Sequence, residues 1–285
     1  MGIYSCLFLH LDPKILVVGD GKTEMWPRSK NQCNLQNFPM TVSGAVVFKT
    51  ASGPVICGGQ KYIPNYGNKV ENRCWIHKED LQWIPNPPMK IKREHASAIE
   101  VNNDQTLIIG GIDGNGFGLR STELYSSSGS ETGKDFPLKI RYHCSFKINS
   151  THAMVTGGFQ EWEVSGSTWF VDLTTTTFTP GPTMKTKRYR HGCSTFQYGG
   201  KILGIASGGY TEGNGLLDST EIIDFDQESP TWTEGMQDKS KIVYLVFFLL
   251  IFRSKITSRI GFFDFGRNQS RHLCHGWKRW FYKQK

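Results

Sequence analysis

The feature that most constrains this chain is a pair of adjacent glycines that repeatedly closes a short apolar run. The pairs are Gly58-Gly59 (PVICGG), Gly110-Gly111 (TLIIGG), Gly157-Gly158 (AMVTGG) and Gly208-Gly209 (LGIASGG), spaced 52, 47 and 51 residues apart. A period of this length marks a repeat architecture in which each unit is one supersecondary element stacked on the next. Glycine suits the end of a strand where another backbone approaches closely or where the next loop needs positive φ.

Other positions recur with the pairs. His95, His143 and His191 open small-residue strands (HASAIEV, HCSFKI, HGCSTF), and Ser43 takes that place in the first unit. Their repetition predicts a scaffolding role. A third strand is expected at Arg73-Cys74-Trp75-Ile76, Ser121-Thr122-Glu123-Leu124-Tyr125, Ser167-Thr168-Trp169-Phe170-Val171 and Ser219-Thr220-Glu221-Ile222-Ile223. A large aromatic follows each pair by 20–25 residues: Trp83, Phe136, Phe178 and Trp232. Such a residue fills the space between neighbouring sheets. A partial copy precedes the first unit, with a second strand at 15–19, a third at 23–26, and Phe38 near the fourth. Four short strands per period, with Gly-, Ser- and Asn-rich turns, predict a radial array of four-stranded sheets.

Taken together, these residues resemble the kelch repeat family over about residues 14–236. The resemblance implies an all-β, galactose-oxidase-like kelch β-propeller of four-stranded antiparallel blades, with four clear repeats and a partial N-terminal one. Such a propeller is commonly an interaction platform whose loops bind another protein. The Cys57-Gly58-Gly59 ending with Cys74 before Trp83 is also similar to some exported kelch proteins. A closed ring commonly has five to seven blades, so an incomplete ring is one expectation here.

Residues 14–238 are expected to form the propeller and residues 239–285 a basic tail. The tail holds 11 Lys/Arg and one acid, whereas the first 238 residues hold 22 bases and 24 acids. The formal net charge of +8 therefore belongs to the tail, and the body shows no global preference for nucleic acid. Within the tail, 242–252 (IVYLVFFLLIF) is too short to span a bilayer, which takes roughly 17–25 apolar residues. It is read as an innermost strand closing the N-terminal unit, as a membrane-surface anchor, or as part of a segment unrelated to the fold, such as translated intron or a shifted reading frame. The start, MGIYSCLFLHLDPK, has no basic n-region and is a weak secretory signal. Seven cysteines show no CxxC spacing, which speaks against a zinc site. Among them Cys33, Cys57 and Cys74 allow a disulfide if the protein is exported.

Two surfaces are candidates for binding. The segments entering the innermost strands read MKIKREH (89–95), LKIRYH (138–143) and MKTKRYRH (184–191). Rotational repetition should bring Lys90, Lys92, Arg93, Lys139, Arg141, Lys185, Lys187, Arg188 and Arg190 to one channel mouth, as a basic face for an acidic partner. The loops after the glycine pairs form the second surface. Of these, GIDGNGFGLR (111–120) and GYTEGNGLLD (209–218) offer no obvious hydrophobic anchor, whereas the others carry Tyr62, Tyr66 and Trp162. Tyr and Trp are residue types enriched at contacts. No GxSxG elbow, HExxH or phosphate-loop motif is present. The expectation is a monomeric, non-enzymatic scaffold for a protein partner, with no catalytic residue, metal or cofactor. The rivals are a propeller enzyme (copper oxidase or carbohydrate isomerase), a secreted structural or surface-binding protein, and a fragment of a ubiquitin-ligase adaptor.

Overall fold

Each of the four full repeat units is a four-stranded antiparallel sheet in the computed structural model, which describes residues 7–11, 14–19, 22–26, 36–40, 42–78 and 82–235. From the innermost strand outward, the first blade holds Val46–Thr50, Gly53–Cys57, Cys74–His77 and Trp83–Asn86. The second holds Ser97–Glu100, Thr106–Ile109, Thr122–Ser126 and Gly129–Thr132, and the third Cys144–Lys147, His152–Thr156, Thr168–Asp172 and Thr177–Pro180. The fourth holds Gly192–Tyr198, Lys201–Ser207, Thr220–Asp224 and Trp232–Glu234. A three-stranded sheet of Leu7–Leu11, Lys14–Gly19 and Lys22–Trp26 precedes them. Innermost strands lie side by side in chain order from this N-terminal sheet to the fourth blade. The architecture is thus an all-β, propeller-like array. Among the described residues the helical content is one 3₁₀ turn, Glu212–Asn214.

Strand composition follows position. Thr106–Ile109 is buried at all four residues, because an interior strand of a blade is covered on both faces, and such strands lose the polar alternation of a half-exposed sheet. The outermost Gly129–Thr132 and Thr177–Pro180 have no buried residue. Between successive sheets lie four apolar clusters, one per interface. Within them Trp83 and Trp232 are buried, as expected, and the half-buried Phe178 packs on the third.

Phe136 is buried between the second and third sheets, as expected, yet at a different place in the repeat. In the second blade the outer position equivalent to Trp83 is Ser130, paired with Tyr125 on the third strand. Tyr125 is fully buried and supplies the ring at that interface, where it packs edge-on against Phe48 at 5.0 Å. Its hydroxyl donates to the Pro87 carbonyl at 2.6 Å and accepts from Asn86 Nδ2 at 2.8 Å. Phe136 lies beyond the outer strand and is equivalent to Met89 and Met184: the backbone N–H of each donates to the carbonyl two residues before a third strand, at Arg120, Asn72 and Gly166.

The start of the array also differs. Leu7–Leu11 pairs with Lys14–Gly19 across its full length, so the first sheet begins before residue 14. That strand takes the edge where residues 242–252 were expected to pair. Residues 242–252, like the whole tail 239–285, lie outside the described residues.

Two disulfides reinforce the array. Cys57–Cys74 joins directly opposed residues of one blade, and Cys144–Cys193 joins the innermost strands of the third and fourth blades.

Candidate functional site

In each blade the second strand ends, and the next innermost strand begins, at the same edge. Both candidate surfaces therefore form one face. There the backbone entering each innermost strand turns through one residue of positive φ: Gly44 (69°), His95 (52°), Tyr142 (55°) and Arg190 (52°). Side chains larger than glycine rarely take this conformation. These residues form a chain of backbone hydrogen bonds from blade to blade. His95 N–H donates to the Gly44 carbonyl at 2.8 Å, Tyr142 N–H to His95 at 3.1 Å, and Arg190 N–H to Tyr142 at 2.9 Å.

This register corrects the histidine alignment. His95 is equivalent to Tyr142 and Arg190, while His143 and His191 are equivalent to Ala96. The glycine pairs agree: a Cβ on Gly111 would press on the Glu94 carbonyl and Ala96, and one on Gly158 on the Arg141 carbonyl and His143. His143 and His191 are buried, with Nε2 bonded to the hydroxyls of Ser97 (2.7 Å) and Thr156 (2.8 Å). Burial holds His143 at about 3. Burial, then the Arg188 and His143 charges, holds His191 well below its ordinary value.

The nine basic candidates separate into different environments. Arg93 and Arg188 do not reach the surface, because both side chains are fully buried. Arg93 Nη1 donates to the Gly110 and Ser121 carbonyls at 2.6 and 3.0 Å, and Nη2 to Glu123 Oε1 at 2.8 Å. Arg188 repeats this with Gly208, Ser219 and Glu221. Glu123 also accepts the Lys90 and Ile91 amides at 2.7 and 2.9 Å, and Glu221 those of Lys185 and Thr186. Burial pushes the Glu123 carboxyl up, but hydrogen bonds from Ser130, Arg93 and Lys90 and the Arg93 charge bring it below its ordinary value. These arginines are blade staples. Lys187 pairs with Glu212 at 3.0 Å. The side chains of Lys90, Lys92, Lys139 and Lys185 make no ion pair among the described residues. Lys90 and Lys185 lie over third strands, toward the rim.

Arg141 and Arg190 reach the centre. Arg190 stacks over Tyr142 at 4.5 Å, and His95 packs on the same ring at 4.3 Å. Arg141 lies over Phe159 at 5.3 Å and Trp162 at 5.7 Å. Tyr189 continues the cluster, 4.7 Å from Phe159 and 5.6 Å from Tyr210. Beside it Glu94 is buried, and its Oε2, 3.6 Å from His95 Nε2, has no hydrogen-bond partner among the described residues. Burial pushes the Glu94 carboxyl up to about 7 against the pull of Arg190. Burial and the Arg190 charge hold His95 at about 3.

The loops project apolar side chains over this face. Tyr62, Tyr66 and Trp162 are 66%, 87% and 65% exposed. The two loops expected to lack an anchor carry exposed Phe117 and Leu216. Asp113 Oδ1 accepts the Asn115 and Phe117 amides at 2.8 and 2.9 Å, an Asx turn that holds Phe117 outward. Phe117 sits among glycines in GNGFG, so the sequence offered no periodic signal for it. Among the described residues no group of three or more His, Cys, Asp or Glu is placed to hold a metal ion, and no helix is long and apolar enough to cross a membrane.

The sheets and their shared loop face define a propeller-like all-β protein. No family model matches the chain, and no curated protein matches it. Among solved structures it is similar in fold to one titled "Structure of YjhT", with a TM-score of 0.61 at 12% identity, over 80% of this chain and 83% of that one. This likeness concerns the fold alone.

Proposed function

We propose that the chain is a kelch-type propeller acting as a non-enzymatic scaffold, and that its loop face binds an acidic protein partner. One observation carries this reading. Each of the four glycine-pair loops presents an exposed apolar side chain on the face that holds Lys90, Lys92, Lys139 and Lys185, whose side chains make no ion pair among the described residues. Apolar anchors rimmed by charge are how protein interfaces combine affinity with steering. The two disulfides support an oxidising, extracellular setting. The test replaces the four lysines with Ser and measures capture of poly-glutamate at low ionic strength. Capture should fall at least tenfold with circular dichroism unchanged; equal capture would reject the basic face.

A second reading, a carbohydrate-isomerising propeller, is favoured by Glu94. A buried carboxyl pushed up to about 7 beside the Arg190 charge is suited to general acid–base chemistry. Turnover of a sugar that Glu94→Gln abolishes would put this reading ahead.

A further inference from the structure

Acids neutralise several cations of the array: Arg93 has Glu123, Arg188 has Glu221, Arg73 has Glu71 and Lys187 has Glu212. Arg141 breaks this pattern. It forms no ion pair or side-chain hydrogen bond among the described residues, although it is half-buried near the centre of the loop face. Its position is nonetheless fixed. The Arg141 backbone pairs with Phe159 in a small sheet, and its guanidinium lies over the rings of Phe159 and Trp162. The two rings flank the guanidinium within cation–π range, and its N–H groups, which no acceptor takes among the described residues, can bind a carboxylate through two parallel hydrogen bonds. Because the side chain is already ordered, a ligand is spared much of that entropy cost.

The nearby acids are turned to other groups. Glu161 Oε1 accepts the Lys139 amide at 3.1 Å, and Glu163 contributes to the field around Lys187. Trp162 stands 65% exposed next to the guanidinium, and Trp and Arg are both residue types enriched at interface hot spots.

We propose that Arg141 and Trp162 are the anchor of the loop face, taking one Glu or Asp side chain of the acidic partner on the guanidinium and covering the adjoining residue with the indole. This rests on the scaffold reading. The site differs from the lysine rim: the rim supplies charge, whereas the anchor supplies bidentate geometry.

Fluorescence anisotropy at low ionic strength with a labelled peptide of alternating Glu and Leu tests the anchor. Arg141→Lys keeps the charge but loses the fork, and should weaken binding about tenfold or more. Trp162→Ala should do the same, and the Gln-for-Glu peptide should not bind. Near-UV circular dichroism checks that both variants remain folded. Wild-type affinity in Arg141→Lys, with loss in the four-lysine variant, would overturn the anchor while leaving the charged face intact. Loss in Arg141→Lys with no change in the four-lysine variant would support the anchor and sink the basic face. Competition by free glutamate as strong as by the peptide would overturn the assignment to a polypeptide, as would absence of wild-type binding.

Discussion

The blade junctions alternate between two chemistries, which makes one perturbation quantitative. Where a linker reads Met89-Lys90…Arg93 or Met184-Lys185…Arg188, the next blade offers Glu123 or Glu221. Where it reads Phe38-Pro39 or Phe136-Pro137, the next blade offers Trp75 or Trp169, with rings 6.4 and 5.4 Å apart. The proline fits the exchange, because it has no amide for the missing carboxylate to accept. Glu123→Ala leaves Arg93 buried without its counterion, a change that costs about 3–5 kcal/mol. The stranded Lys90 and Ile91 amides add about 1 kcal/mol each. Against a typical domain stability of about 5–15 kcal/mol, such a variant lies close to unfolding. Transplanting the other chemistry with Met89→Phe, Lys90→Pro, Arg93→Ile and Glu123→Trp should recover most of the loss, to within about 2 kcal/mol of wild type. Urea denaturation followed by tryptophan fluorescence measures both. A Glu123→Ala variant within about 1 kcal/mol of wild type, or a transplant less stable than Glu123→Ala, would refute the reasoning.

Further outcomes are expected. Removing the inter-blade link with Cys193→Ser frees a loop of 49 residues, worth about 4 kcal/mol by chain entropy. Cys74→Ser frees only 17, worth about 3 kcal/mol, and thermal denaturation should rank them so. Glu94, with its folded value raised to about 7, contributes stability present below its unfolded value and lost as pH rises through about 7. Glu94→Gln should therefore flatten the stability profile between about 4.5 and 7, on the acid side of neutrality, read by denaturation at stepped pH. His143 and His191 have depressed folded values, so their contribution holds above about 6.5 and is lost as pH falls. A chain with both replaced by Ala should lose less stability between neutral pH and mild acid than wild type.

The repeat was legible because glycine pairs cannot move without collision: a Cβ on Gly110 or Gly157 would meet the carbonyl of Ile140 or Arg188. Spacing alone did not settle single-residue register. His95 stands one place ahead of His143 and His191, because the turn fixes φ at a position and not the residue type. Nor did spacing distinguish inward from outward charge. Arg93 and Lys92 are neighbours in a basic run, yet one is buried against Glu123 and the other exposed. The signal that could have separated them was present, since Glu123 and Glu221 occur where Trp75 and Trp169 stand in the alternate units. The aromatic clamp on Arg141 was not legible, because Phe159 and Trp162 meet it only through a two-residue strand pairing.

Hydrogen–deuterium exchange of the chain with and without a bound acidic polypeptide tests the central claim, that equivalent loops of successive blades form one binding face. Protection should appear in Gln60–Ile63, Gly67–Val70, Ile140–Arg141, Phe159–Gln160 and Glu163–Val164, and in the loops carrying Phe117 and Leu216. Protection instead at the opposite edge, in the hairpin turns at 51–52, 102–104, 149–151 and 199–200, would contradict it.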